Sequence, residues 1–201
     1  LSIIDLSFKN NQPFQDDKKK VCLTFNGEIY NFMELKKELI TLGYKFVTNG
    51  DTEVLLKSYL AWGVASFKKI EGMFSFCICD QNIKKVYLVR DQYGQKPLYF
   101  RYTGNELKFG SELKIFIDED SKKINTKNLN KFLYFGFIKN ETLISNINQI
   151  PPGSFLEFSY LSNKLRTEKY WDFPKQNNFK NYDAENVLEL LKNSISNQLR
   201  S

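Results

Sequence analysis

The chain has 201 residues, with 42% hydrophobic and 15% aromatic side chains, far above the content of disordered chains. Its net charge of +6 comes from lysines scattered along the sequence, with no basic stripe of the kind that tracks nucleic acid. There is no histidine, which excludes histidine-ligated zinc and Ser-His-Asp or Cys-His catalysis within these residues.

The first residues, LSIIDL, read as the middle of an element, so a segment upstream is expected. Asp16-Asp17-Lys18-Lys19-Lys20 reads as a solvated loop. Val21 to Phe25 is a short buried strand, followed by a helix with Asn31 as N-cap and Glu34 in capping-box register. Phe32, Leu35, Leu39 and Leu42 form its apolar face, and Gly43 ends it. Tyr44 to Val47 reads as another short strand. Asn49 to Thr52 then turns into a second helix carrying Leu55, Tyr59 and Trp62, closed by Gly63. Met73 to Asp80 is apolar on both faces, as a doubly covered strand must be. Val86 to Val89 pairs with it through Asp80-Gln81-Asn82. Leu98 to Tyr102 and Glu106 to Phe109 form a hairpin, and a helix follows from Thr126 to Phe135. Phe155 to Phe158 and Arg166 to Tyr170 read as a strand pair. The last helix, Ala184 to Leu199, places Val187, Leu188, Leu191, Ile195 and Leu199 at helical spacing and runs to the chain end, which implies a continuation downstream. The pattern fits one domain of stacked sheets covered by helices.

Three cysteines and no leader-like segment point to a reducing, cytoplasmic setting. Cys77 and Cys79 face one side of a strand and read as core, and no apolar run approaches the ~20 residues that span a bilayer.

Three stretches could carry chemistry. In Asn26-Gly27-Glu28, a side-chain N–H beside a glycine N–H can converge on one oxygen as an oxyanion hole, although Asn-Gly also simply favours turns. Asp51 opens a helix, so it is either a first-turn acid favoured by the exposed amides or a carboxylate for a substrate ammonium. In Arg90 to Tyr99, Gly94 and Pro97 mark a tight turn that an Arg90–Asp91 salt bridge would staple. Phe109 to Lys114 and Pro151-Pro152-Gly153 read as architecture too.

In order, LSIIDLS, FNGEIYN, GDTEVLL, GMFSFCICD, RDQYGQKPLYF, FGSELK, IPPG and YW resemble the glutaminase domain of glutamine-hydrolysing asparagine synthetases, from Leu1 to Ser201. The resemblance implies a class II glutamine amidotransferase domain of the α+β class, a four-layer αββα sandwich with the N-terminal-nucleophile hydrolase fold. It implies an N-terminal cysteine that attacks the glutamine amide, with Asn26 and Gly27 holding the oxyanion. Asp51 would bind the α-ammonium of glutamine, with Glu28, Ile3 and Ile4 lining the pocket. No cofactor is implied for this domain; ATP and Mg²⁺ would serve a synthetase domain that amidates aspartate. Glutamine is the implied substrate, a homodimer is compatible, and neither nucleic acid nor membrane is implied.

The sequence departs from the family where no cysteine stands at its start and no arginine precedes Leu1 to clamp the glutamine carboxylate. Gly50 replaces the family's usual serine, and SGGLDS of the synthetase domain does not occur. These residues alone are therefore expected neither to hydrolyse nor to bind glutamine, and to leave a sheet edge unpaired. Two alternatives carry over: amidation of another acceptor, such as a sugar acid of surface polysaccharides, or a non-catalytic binding remnant.

Overall fold

The computed structural model describes residues 10–117, 123–174 and 183–199. Its first half is laid down by one long strand. β1 (Phe14–Gln15) pairs with β2 (Val21–Ile29), and the intervening turn is closed by the Asp16 carboxylate, which accepts from Lys20 N and Val21 N at 2.6 and 2.7 Å. Lys18, Lys19 and Lys20 stay exposed around it, as a solvated loop should.

Helices α1 (Phe32–Thr41) and α2 (Asp51–Trp62) follow, then β3 (Gly72–Asp80) and β4 (Lys85–Arg90). β5 (Tyr99–Tyr102) and β6 (Leu107–Gly110) form a hairpin, with α3 (Thr126–Phe135) and β7 (Asn148–Gln149) after it. β8 (Ser154–Ser159), β9 (Lys164–Lys169) and α4 (Ala184–Gln198) complete the order. All pairings are antiparallel: one sheet runs β1-β2-β3-β4-β8-β9 and a second runs β6-β5-β7.

Strand alternation divides the core into two. Val21, Leu23, Phe25, Phe74, Phe76, Ile78, Tyr87 and Val89 point to the face covered by α1 and α2, where they meet Leu35, Leu39, Val54, Leu55 and Phe67. Cys77, Val86, Leu88, Leu156 and Phe158 point to the opposite face, against Phe100, Leu107 and Phe109 of the second sheet and Leu98 just before it. Both faces of β3 and β4 are thus covered, which is why most of their residues are apolar. α3 hangs from the segment leading into β7 through Asn128 Nδ2, which donates to Thr142 O at 2.8 Å, while Asn125 caps it by accepting from Asn128 N. Among the described residues α4 buries none, although Ser194, Asn197 and Gln198 line a cavity with Tyr93 and Trp171.

Four local expectations are corrected. β2 does not stop at Phe25; it pairs residue for residue with β3 out to Ile29↔Gly72, so Asn26-Gly27-Glu28 lies within a strand and not in a turn. Tyr44 to Val47 is no strand, because the N–H groups of Val47 and Thr48 are taken by the Glu53 carboxylate instead of a neighbouring chain. Asn31 occupies the N-cap position without capping. Its side chain accepts from Glu71 N and donates to Lys69 O, at 3.0 and 2.8 Å, tying the helix start to the approach of β3.

Arg90 and Asp91 do not staple one another, because each serves the backbone separately. Arg90 donates to three carbonyls, of Gly94, Lys96 and Ile150, at 2.6 to 2.9 Å. Asp91, fully buried, accepts from the N–H groups of Phe74, Tyr93, Gln95 and Lys96 at 3.0 to 3.2 Å. Gly153 N donates to Asp91 O and Tyr170 Oη to Arg90 O, so the RDQYGQKP and IPPG motifs form one knot. Asp91→Asn keeps one acceptor oxygen and orphans two of the four donors. It is expected to cost about 2–6 kcal/mol of stability in a urea titration, since each of the two unmade buried bonds costs about 1–3 kcal/mol.

Candidate active site

The direction of the N–H groups along β2 decides what its outer edge can bind. Tyr30 N donates to Glu71 O at 2.8 Å, just past the end of the β2–β3 pairing. Hydrogen-bonded pairs alternate in an antiparallel ladder, so the even residues of β2 bond to β3 and the odd residues point the other way. The structure agrees on both sides of Gly27: Phe25 N donates to Gln12 Oε1 at 2.6 Å, and Ile29 N donates to Asp51 Oδ2 at 3.0 Å. Gly27 N lies between them, on the same edge. Two residues of strand separate it from Ile29 N, a spacing of about 7 Å.

Gly27 can be no other residue here. Its φ is +146°, and a Cβ would fall 2.0 Å from Met73 O. Asn26, half-buried, carries its carboxamide on the face toward the second sheet, where Nδ2 donates to Ser111 Oγ at 3.1 Å. A cavity of about 160 Å³ opens there, lined by Gln12, Asn26, Ser75, Cys77, Phe109 and Ser111 among others.

Asp51 is the first residue of α2 and is 5% exposed. Burial drives its carboxyl up from the ordinary 3.8 to about 6, against the pull of the N–H groups of Ile29, Asp51 and Thr52, and the charge of Glu28 adds to the rise. Glu28 is itself buried, on β2 beside the donor pair. Two acids so placed favour a cationic guest, which relieves both. Gly50, the departure from the family's serine, packs against Asn10: a Cβ would meet Asn10 Nδ2 at 2.9 Å and Oδ1 at 3.1 Å. A serine there requires Asn10 to move.

The structure therefore brings Asn26, Gly27, Glu28 and Asp51 onto one strand edge and the helix start facing it. Ile3 and Ile4 lie outside the described residues. Sequence reading missed Gln12, Ser75 and Ser111; Ser75 and Ser111 sat in the GMFSFCICD and FGSELK motifs, where neither was singled out for chemistry. The cysteines lie on the face toward the second sheet, and Cys77 also lines the cavity beside Asn26. Cys22, Cys77 and Cys79 line a cavity of about 550 Å³ between the sheets, all as free thiols. Burial raises the thiols of Cys22 and Cys77, which keeps them protonated and unreactive near neutral pH.

The family model of the glutamine amidotransferase domain matches residues 1–171. The chain belongs to this family. Its relatives include asparagine synthetase [glutamine-hydrolyzing] 1 of Bacillus subtilis, 36% identical over 77% of this chain and 24% of the relative. The putative asparagine synthetase [glutamine-hydrolyzing] 2 of Methanocaldococcus jannaschii is 33% identical over 100% of this chain and 42% of its own. The chain thus spans 24 to 42% of the length of these two relatives. Among solved structures, the glutamine phosphoribosylpyrophosphate amidotransferase of B. subtilis, complexed with ADP and GMP, superposes with a TM-score of 0.57. It is 21% identical, over 82% of this chain and 33% of that one. That likeness shows the fold of the domain: α+β, with the stacked antiparallel sheets of the N-terminal-nucleophile hydrolases. No helix among the described residues is long and apolar enough to cross a membrane.

Proposed function

We propose that the β2 edge is the glutamine-binding half of a glutaminase site, with Asn26 and Gly27 as oxyanion donors and Asp51 as the ammonium acceptor. One observation carries this reading: Gly27 N and the Asp51-bound N–H of Ile29 lie on the same edge, two residues apart. The amide carbon and α-nitrogen of glutamine are joined by four bonds, an extended reach of roughly 5 Å. The tetrahedral oxygen then sits at Gly27 while the ammonium meets Asp51. Glu28 deepens the negative potential on the ammonium side. In this reading the nucleophile, its base and the carboxylate clamp are not among the described residues, and Ile3 and Ile4 are assigned to the pocket by the family resemblance.

In this proposal residues 1–201 form one amidotransferase domain, and α4 leads toward a synthetase domain. Ammonia released here amidates aspartate there, in a reaction that uses ATP and Mg²⁺. The names of the relatives support this acceptor. The test is to express the full reading frame and supply glutamine and ATP with either aspartate or sugar acids. Glutamine-dependent asparagine formation supports the reading, and amidation of a sugar acid alone overturns the choice of acceptor. Absence of any ammonia release from glutamine overturns the glutaminase assignment itself.

A further inference from the structure

Asn26 can serve an oxyanion only if its carboxamide is held with an N–H aimed at the oxygen of the reacting carbonyl. A carboxamide at the end of a two-torsion side chain does not hold itself: its terminal torsion is broad. In the structure one N–H of Nδ2 is committed to Ser111 Oγ, at 3.1 Å, across 85 residues of sequence. That bond fixes the plane of the amide and leaves the second N–H of the same nitrogen for a ligand. Ser111 follows Gly110, the last residue of β6, so its position is set by the hairpin and not by a mobile tip.

A second feature of the same cavity points the same way. Ser75 is the cross-strand partner of Asn26, is 2% exposed, and its hydroxyl has no hydrogen-bond partner. A buried hydroxyl calls for one, and a cavity of about 160 Å³ has room for water beside it. Asn26, Ser75 and Ser111 thus place polar groups in a cavity whose other walls include Phe76, Cys77, Leu98 and Phe109.

We infer that Ser111 is a positioning residue for the oxyanion donor, acting through the Asn26 carboxamide and not on the substrate. The inference rests on the role given to Asn26 above. In the polypeptide expressed from its full reading frame, Ser111→Ala lowers kcat for glutamine hydrolysis roughly three- to tenfold, the worth of one neutral hydrogen bond, and leaves KM unchanged. Ser111→Thr, which keeps the hydroxyl, restores the rate. In an Asn26→Ala background, Ser111→Ala has no further effect. Rates are counted per competent site by titration with an electrophilic glutamine analogue, so that loss of folded protein does not mimic the effect.

If Asn26→Ala slows turnover while Ser111→Ala does not, or if the two losses multiply in the double variant, the role of Ser111 is overturned and that of Asn26 stands. If Asn26→Ala leaves kcat intact, the oxyanion reading itself falls. A Ser111→Ala loss confined to KM, or one that Ser111→Thr fails to restore, also overturns positioning.

Discussion

Asn26→Ala, in the polypeptide expressed from its full reading frame, is expected to lower kcat for glutamine hydrolysis by about 10²–10³, the cost of removing one oxyanion donor. KM is expected to stay close to its original value, because the oxygen of ground-state glutamine carries little charge and gains most from the donor once it becomes tetrahedral. Asn26→Asp makes a sharper variant: it is isosteric and keeps the contact by reversing it, accepting from the Ser111 hydroxyl, but it places a negative charge where negative charge develops. It is expected to be at least as slow as the alanine variant. The fold tolerates both changes, since the Asn26 side chain is half-buried beside a cavity and makes one hydrogen bond. Stopped assays of ammonia release over a range of glutamine concentrations separate the two constants. A loss seen only in KM contradicts the oxyanion role and points to ground-state binding.

Asp51→Asn is expected to move stability and binding in opposite directions. In the folded chain burial holds the Asp51 carboxyl at about 6, against an ordinary 3.8. Below pH ~4 both folded and unfolded states are protonated and the residue costs nothing. Between ~4 and ~6 the unfolded chain ionises first, so stability falls as pH rises. Above ~6 the penalty is complete, at about 3 kcal/mol. Asparagine mimics the protonated form and can still accept from Ile29 N. Urea titrations should therefore find Asp51→Asn more stable than the parent at pH 7.5, with the difference vanishing near pH 4. The same variant loses the charge that receives the substrate ammonium, and KM for glutamine is expected to rise roughly 10- to 100-fold, the worth of a charged hydrogen bond. An Asp51→Asn protein that is less stable at pH 7.5, or binds glutamine as before, contradicts the assignment.

Much of the fold was legible because periodicity and burial agree. Phe74, Phe76 and Ile78 alternate with Ser75, Cys77 and Cys79, and both sets are covered, so β3 could be read within a residue of its bounds. The Thr126–Phe135 helix was equally clear from its Phe and Leu residues, and the structure adds an Asn125 cap before it and Gly136 after it. What failed were places where a side chain replaces a backbone partner. Tyr44 to Val47 has the composition of a strand, but Glu53, far along α2's first turn, claims its donors. Asn31 has the spacing of a cap, and spends its side chain on residues 69 and 71 instead.

The site was half legible for a similar reason. Asn26, Gly27 and Asp51 stand in motifs, so the residues could be named before their geometry was known. That Gly27 N and Asp51 share one edge could not be read, because it depends on the pairing parity of β2 with β3. Ser75 on β3 and Ser111 just past β6 converge on Asn26, and no local pattern announces contacts of that kind.

The central claim concerns where one oxygen goes. The most direct measurement is a crystal structure of the full-length polypeptide bearing the tetrahedral adduct of a glutamine-derived aldehyde. The adduct oxygen is expected within about 2.7–3.1 Å of both Asn26 Nδ2 and Gly27 N, with the α-ammonium on Asp51. An adduct oxygen turned to solvent, or held by donors away from β2, contradicts that placement.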